Sequence, residues 1–132
     1  MSTRYLIDTD WTVSFLTGHM PTVERLRDMR SEGVALSIIS LAELYEGVTY
    51  SRDPARSEQR LTDFLETVTL LGIDEDTCKL FGRERGRLRT GGKLIGDFDL
   101  LIGATALQHD LTLLTNNRRH FEAVEGLRLI SL

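Results

Sequence analysis

The chain has 132 residues, a length that suits one domain over residues 1–132 with a buried core. Apolar residues make up 41% and charged residues 27%, which excludes disordered and fibrous proteins, and no apolar run approaches the roughly 20 residues of a membrane-spanning helix. The formal net charge of −4 argues against binding to nucleic acid by bulk attraction alone, because domains that bind in that way are usually basic.

Five short apolar segments predict β-strands. In chain order they are YLID at 5–8, VALSII at 34–39, TLLGI at 69–73, LTLLT at 111–115 and LRLIS at 127–131. Segments with helical spacing or helix-end signals separate them, at 22–33, 54–68 and 74–92. Because parallel strands need such crossovers, the order predicts an α/β fold, with helices on both faces of a mostly parallel sheet of about five strands.

Acidic residues fall where the predicted strands lead into helices. Asp8 and Asp10 follow the first strand, Glu43 lies in the helix after the second, and Asp97 and Asp99 open the helix before the fourth. Active sites in open parallel sheets form at the carboxyl ends of the strands, so we expect these acids to converge at one edge.

Several of these acids also have a structural interpretation. SLAE at 40–43 matches a capping box, in which Glu43 bonds the backbone at a helix start, and Asp97 or Asp99 could be an N-cap. Asp8 has no comparable structural role, and a buried carboxylate is costly without a partner. Carboxylates gathered without His or Cys suit Mg²⁺ or Mn²⁺, which support phosphoryl chemistry by activating water.

A basic cluster lies in RERGRLRTGGK, at 83–93, and Arg118, Arg119 and His120 form a second one. The first cluster has two interpretations: the solvated face of a surface helix, or a contact surface for nucleic acid. The single cysteine, Cys78, excludes an internal disulfide and agrees with a reducing compartment, and the N-terminal MSTRYLIDTDW lacks the apolar run of a signal peptide. We therefore expect a cytoplasmic protein without a membrane segment.

Four motifs occur in a fixed order along the chain: LIDTD, SLAELYEG, IGDFDLLIGATAL and LLTNNRRHFE. This ordered set resembles the PIN-domain ribonucleases, most closely the VapC toxins of toxin–antitoxin pairs, and the resemblance covers essentially the whole chain. It implies a three-layer PIN-like fold and an endoribonuclease that depends on Mg²⁺ or Mn²⁺. It also implies a homodimer, held inactive by a cognate VapB-type antitoxin.

Residue by residue, the resemblance makes Asp8 and Glu43 the first two acids of the family site and Asp99 the third. Asp97 stands where many members, but not all, have a further acid. Asn117 replaces a fourth acid by an amide, which lowers the charge of the site. Further supporting and RNA-contacting residues are expected. Asp10 could partly replace the missing charge, Thr9 and Thr115 could orient carboxylates or water, and the RNA backbone would meet Arg85, Arg87, Arg89, Lys93 and Arg118.

Two other functions stay open on the sequence. LIDTDWT at 6–12 also satisfies the D-x-D-x-T opening of haloacid-dehalogenase-like phosphatases, in which Asp8 would be the nucleophile. That interpretation leaves Glu43 without a role and places Thr115 after the acidic pair instead of before it. The second alternative is a PIN-like module that binds RNA or protein without cutting, since fold alone does not guarantee activity.

Overall fold

A computed structural model of the chain describes residues 3–132. Its strands are β1 (Tyr5–Ile7), β2 (Val34–Ser37), β3 (Thr69–Leu71), β4 (Thr112–Leu114) and β5 (Leu129–Ile130). Its helices are α1 (Thr9–Leu16), α2 (Met20–Met29), α3 (Ile38–Thr49), α4 (Pro54–Leu65), α5 (Glu75–Thr90), α6 (Asp97–Gln108) and α7 (Arg118–Phe121). Each predicted strand is present and shorter than predicted, in part because strand-end residues cap or begin helices. Across residues 3–132, no helix has both the length and the apolarity to cross a membrane.

The five strands form one sheet in the order β3-β2-β1-β4-β5, and every neighbouring pair is parallel. Leu6 in the central strand pairs with Ala35 of β2 on one side and with Leu113 of β4 on the other. The chain moves outward from β1 to β3 and then continues on the opposite side with β4. This reversal between β1 and β4 is the topological switch point, where α/β sheets open a crevice for ligands.

The strand residues alternate between two apolar cores. Tyr5 and Ile7 of β1 face a core that contains Trp11, Leu44 and Phe64 from the first four helices. Leu6 faces the opposite core, to which helices α5 to α7 contribute; among its buried members are Leu88, Leu100, Ile102 and Phe121. Helices therefore cover both faces of the sheet, which confirms the predicted α/β fold with three layers.

Candidate active site

Asp8 lies at the carboxyl end of β1 and is the N-cap of α1. Its Oδ1 accepts a hydrogen bond of 2.8 Å from the backbone N–H of Thr9, and its Oδ2 accepts one of 2.7 Å from the Thr115 hydroxyl. Asp8 is only 4% exposed. The expectation that Asp8 has no structural role was wrong, because a strand that passes directly into a helix places its last residue at the cap.

The negative charge of Asp8 is poorly compensated. Burial raises the pKa of Asp8 to about 7, and the charges of Asp10 and Asp99 add to this rise, while the hydrogen bonds from Thr115 and Thr9 oppose it. Within residues 3–132, no Lys, Arg or His side chain forms a salt bridge with Asp8. A buried carboxylate beside other acids, with no basic partner, has the electrostatics of a cation ligand.

Glu43 lies one turn into α3 and is linked to the first strand by Thr9. The Thr9 hydroxyl donates to Glu43 Oε1 at 2.7 Å, so Thr9 bonds Glu43 with its side chain and Asp8 with its backbone. The interpretation of residues 40–43 as a capping box was wrong. Helix α3 begins at Ile38, and Ser37 is its N-cap, whereas the buried Ser40 hydroxyl has no hydrogen-bond partner within residues 3–132.

Asp99 lies in the first turn of α6 and contacts His120, which the sequence indicates only as a member of a basic cluster. Asp99 Oδ2 lies 2.7 Å from Nδ1 of His120, and the Asn117 amide nitrogen lies 2.9 Å from the same ring nitrogen. A protonated Nδ1 donates to Asp99, whereas an unprotonated one accepts from Asn117. The signal in the sequence was the i, i+3 spacing of Asn117 and His120, directly after the fourth strand.

Asp97 lies on the exposed side of the α6 start and is paired with a base. Its Oδ1 accepts from Arg85 Nη2 at 2.6 Å, and Arg85 Nη1 donates to the Ile95 carbonyl at 2.8 Å. The N-cap of α6 is Gly96, so the expectation that Asp97 or Asp99 caps this helix with its side chain was wrong. Arg85 is therefore engaged inside the protein, and its expected contact with the RNA backbone stays a prediction.

Asp10 links the start of α1 to the segment that follows β4. Its Oδ1 accepts from the Trp11 backbone N–H at 2.7 Å, and its Oδ2 accepts from the Asn116 backbone N–H at 3.0 Å. The Asn116 side chain in turn accepts from Trp11 Nε1 at 3.0 Å. Asp10 thus adds negative charge near Asp8, while both of its own oxygens are held by backbone donors.

The predicted RNA-contacting residues differ in their surroundings. Arg87 donates to Glu84 at 2.9 Å and to the Ala123 carbonyl, so it holds α5 against the segment after α7. Arg118 pairs with Glu122. Arg89 and Lys93 are exposed and make no salt bridge within residues 3–132. Of the five predicted RNA-contacting residues, these two are the ones whose charge has no salt-bridge partner among residues 3–132.

No group of three or more His, Cys, Asp or Glu side chains among residues 3–132 is arranged to hold a metal ion. Each acid is hydrogen-bonded to a different side chain instead: Asp8 to Thr115, Glu43 to Thr9 and Asp99 to His120. The chemistry of the set still suits a hard divalent cation, because the groups are carboxylates and the charge on Asp8 lacks a basic partner. Their convergence on one ion stays a prediction.

Comparison with known proteins decides the family. The family model of the PIN domain matches residues 5–127. The chain belongs to the PIN-domain family. Its PIN domain is 32% identical over 125 residues to Ribonuclease VapC2 of Haemophilus influenzae, covering 95% of each chain. It is 27% identical over 125 residues to the tRNA(fMet)-specific endonuclease VapC of Shigella flexneri, again covering 95% of each.

The PIN domain also superimposes on the solved structure of VapBC2 from Rickettsia felis bound to a DNA fragment from their promoter. The TM-score is 0.92 at 28% identity, covering 98% of this chain and 99% of that one. The resemblance to VapC-type PIN domains is therefore confirmed. The phosphatase alternative is wrong, since the family whose model matches residues 5–127 is a different one.

Proposed function

We propose that this PIN domain is a metal-dependent endoribonuclease, the toxin of a VapBC-type toxin–antitoxin system, that hydrolyses RNA phosphodiester bonds. The observation that carries the proposal is the buried Asp8 at the switch point of the sheet, with a pKa raised to about 7 and no salt bridge within residues 3–132. The names of the relatives, which are ribonucleases and a tRNA endonuclease, support the choice of RNA as substrate.

Asp8, Glu43 and Asp99 would hold Mg²⁺ or Mn²⁺, with help from Asp97. When bound, the ion supplies a Lewis acid that activates water and stabilises charge on the phosphate. Asp8 is fixed by two donors, Glu43 by the Thr9 hydroxyl and Asp99 by His120, and each carboxylate would keep lone pairs for the ion. A fixed ligand limits the reorganisation that binding requires.

The neighbouring residues have defined positioning roles in this proposal. Thr115 and the Thr9 backbone hold the two oxygens of Asp8, and the Thr9 hydroxyl holds Glu43. His120 holds Asp99 from the segment after β4. The acids thus depend on donors from different elements, which keeps their carboxylates oriented where like charges would otherwise push them apart.

The proposal includes protein partners. The solved Rickettsia felis structure is a VapBC2 assembly, so we assign this chain a VapB-type antitoxin that keeps the toxin inactive. The resemblance also implies a homodimer. The RNA that the activity requires is in the cytoplasm, and the proposal places the chain there.

The test is a panel of tRNA, rRNA and mRNA incubated with the purified, antitoxin-free chain in Mn²⁺ or in EDTA, with the ends of the products mapped. We expect internal cuts in Mn²⁺ and none in EDTA. Binding without any EDTA-sensitive cleavage would refute the proposal and favour the non-catalytic alternative.

A further inference from the structure

Phe98 is an aromatic residue on the exposed first turn of α6. It is 52% exposed, although most of the helix that follows, including Leu100 and 102–106, is buried. Removing an aromatic ring from water lowers the free energy, so a ligand that covers Phe98 would bind more tightly. Single exposed apolar residues are common on protein surfaces, and Phe98 differs from the others in lying directly between Asp97 and Asp99 of the candidate site.

Phe98 stands between two acids of the candidate site. Asp97 precedes it and pairs with Arg85 at 2.6 Å, and Asp99 follows it and contacts His120 at 2.7 Å. Carboxylates on both sides repel a phosphate, so the backbone of a nucleic acid is disfavoured directly over the ring. A neutral base carries no such penalty, and its π face matches the aromatic ring.

Two exposed cations, Arg89 and Lys93, lie in the last turn of α5 and in the segment between α5 and α6. Arg85 bonds both Asp97 and the Ile95 carbonyl, which fixes the C-terminal half of α5 beside the start of α6. Arg89 lies one helical turn beyond Arg85, and Lys93 follows the helix end. Residues 89–98 therefore combine exposed cations with an exposed ring, as surfaces that bind single-stranded nucleic acid do.

We propose that Phe98 stacks on an unpaired base of an RNA substrate, while Arg89 and Lys93 contact backbone phosphates. This inference rests on the proposed ribonuclease function and adds a base-contacting residue to it. Stacking tolerates any base because each base has a π face, so Phe98 contributes affinity and position more than sequence choice.

The experiment measures binding of two fluorescent probes by anisotropy in EDTA, where no cleavage is expected. One probe is a short oligoadenylate, and the other is an abasic ribose–phosphate strand of equal length. We expect Phe98→Leu to weaken oligoadenylate binding roughly 5- to 150-fold and to leave abasic binding unchanged. Phe98→Trp should retain binding of both probes, and Arg89→Gln should weaken both to a similar extent.

Two results would overturn the stacking proposal. One is a parent protein that binds oligoadenylate no better than the abasic strand. The other is a Phe98→Leu variant that binds both probes as the parent does; a lower molecular mass of that variant in light scattering would then assign Phe98 to a protein interface. A parent that prefers oligoadenylate but cuts no RNA in Mn²⁺ would refute the nuclease proposal alone.

Discussion

The Thr115 hydroxyl donates a 2.7 Å hydrogen bond to Asp8 Oδ2, across 107 positions of the chain. The bond joins the carboxyl ends of β1 and β4, the two neighbouring strands at the topological switch point. The backbone N–H of Asn117 donates to the Thr115 oxygen at 3.0 Å, which leaves the hydroxyl proton for Asp8. Because the bond favours the ionised carboxylate, it opposes the rise in the pKa of Asp8 that burial causes.

Thr115→Val should therefore raise the pKa of Asp8 above about 7. A hydrogen bond to a charged group contributes about 1.5–3 kcal/mol, so the rise should be roughly one to two pH units. NMR titration of the Asp8 carboxyl in metal-free protein measures it directly. Thr115→Ser keeps the hydroxyl and is the matched control; equal pKa values in the Val and Ser variants would show that the bond has no such effect.

Asp8→Asn should make the stability of the metal-free protein less dependent on pH. The pKa of Asp8 is raised from 3.8 to about 7 in the folded state, so between these values the folded protein keeps a proton that the unfolded chain has lost. The free energy of unfolding of the parent therefore falls as the pH rises through this window, and the substitution removes that dependence. The free energy of unfolding of Asp8→Asn, relative to that of the parent, should be on the order of 2 kcal/mol more favourable to the variant at about pH 8 than at about pH 5.

Urea unfolding of the parent and of Asp8→Asn at both pH values checks this expectation. Asp28→Asn, which changes an exposed acid on α2, is the control for a general effect of charge. Parallel pH dependences in the parent and Asp8→Asn would mean that Asp8 is not a costly buried charge.

Glu84→Gln should destabilise the protein by about 2–3 kcal/mol, because a buried and ionised hydrogen-bond acceptor is lost. Glu84 is 3% exposed and accepts from Arg87 and from the Glu125 backbone at 3.0 Å. The Arg87 hydrogen bond lowers the pKa of Glu84 below 4.5, so this stabilisation is present above that pH and is lost as the pH falls through the lowered value.

Thermal or urea unfolding measures the effect of Glu84→Gln. The control is Glu75→Gln on the same helix, since that carboxylate is 84% exposed and its pairing with Lys79 is weak. A loss no larger than that of the control would contradict the anchoring role of Glu84.

Arg89→Gln should reduce the salt dependence of RNA binding. Each phosphate contact with a single strand contributes about 0.7 to the slope of log K against log salt, so the variant should lose about that amount. Arg27→Gln, on α2 against the opposite core, should leave the slope unchanged. An unchanged slope in Arg89→Gln would mean that Arg89 does not contact a phosphate and only forms part of a solvated helix face. Fluorescence anisotropy over a range of NaCl concentrations gives the slopes.

The sheet was predictable because its strands are short apolar runs and the helices between them impose parallel pairing. The residues at which the strands end and the helices begin were harder to predict. At 37–43 the S-x-x-E pattern indicated a cap at Ser40, whereas the helix starts directly after β2, where the Ser37 side chain reaches the Ile39 N–H. A local motif shows which hydrogen bonds a residue could form. The position at which the helix begins depends on where the preceding strand ends.

The positions of the candidate acids along the chain were also predictable, but their partners were not. Charge pattern alone placed Arg85 and Arg87 on an RNA-facing surface. Their actual partners include Asp97 and the Ala123 carbonyl, which come from other elements and cannot be read from the spacing within α5. The His120–Asp99 contact was missed for the same reason.

The most direct test of the account is the rate at which Asp8→Asn cuts RNA in Mn²⁺, beside the parent prepared in the same way. We expect the parent to cut and to stop when EDTA is added. We expect Asp8→Asn to be slower by at least about 100-fold, because the substitution removes the carboxylate charge while it keeps the size of the side chain and one acceptor oxygen. Cleavage by Asp8→Asn at the parent rate would contradict the assignment of Asp8 to the catalytic site.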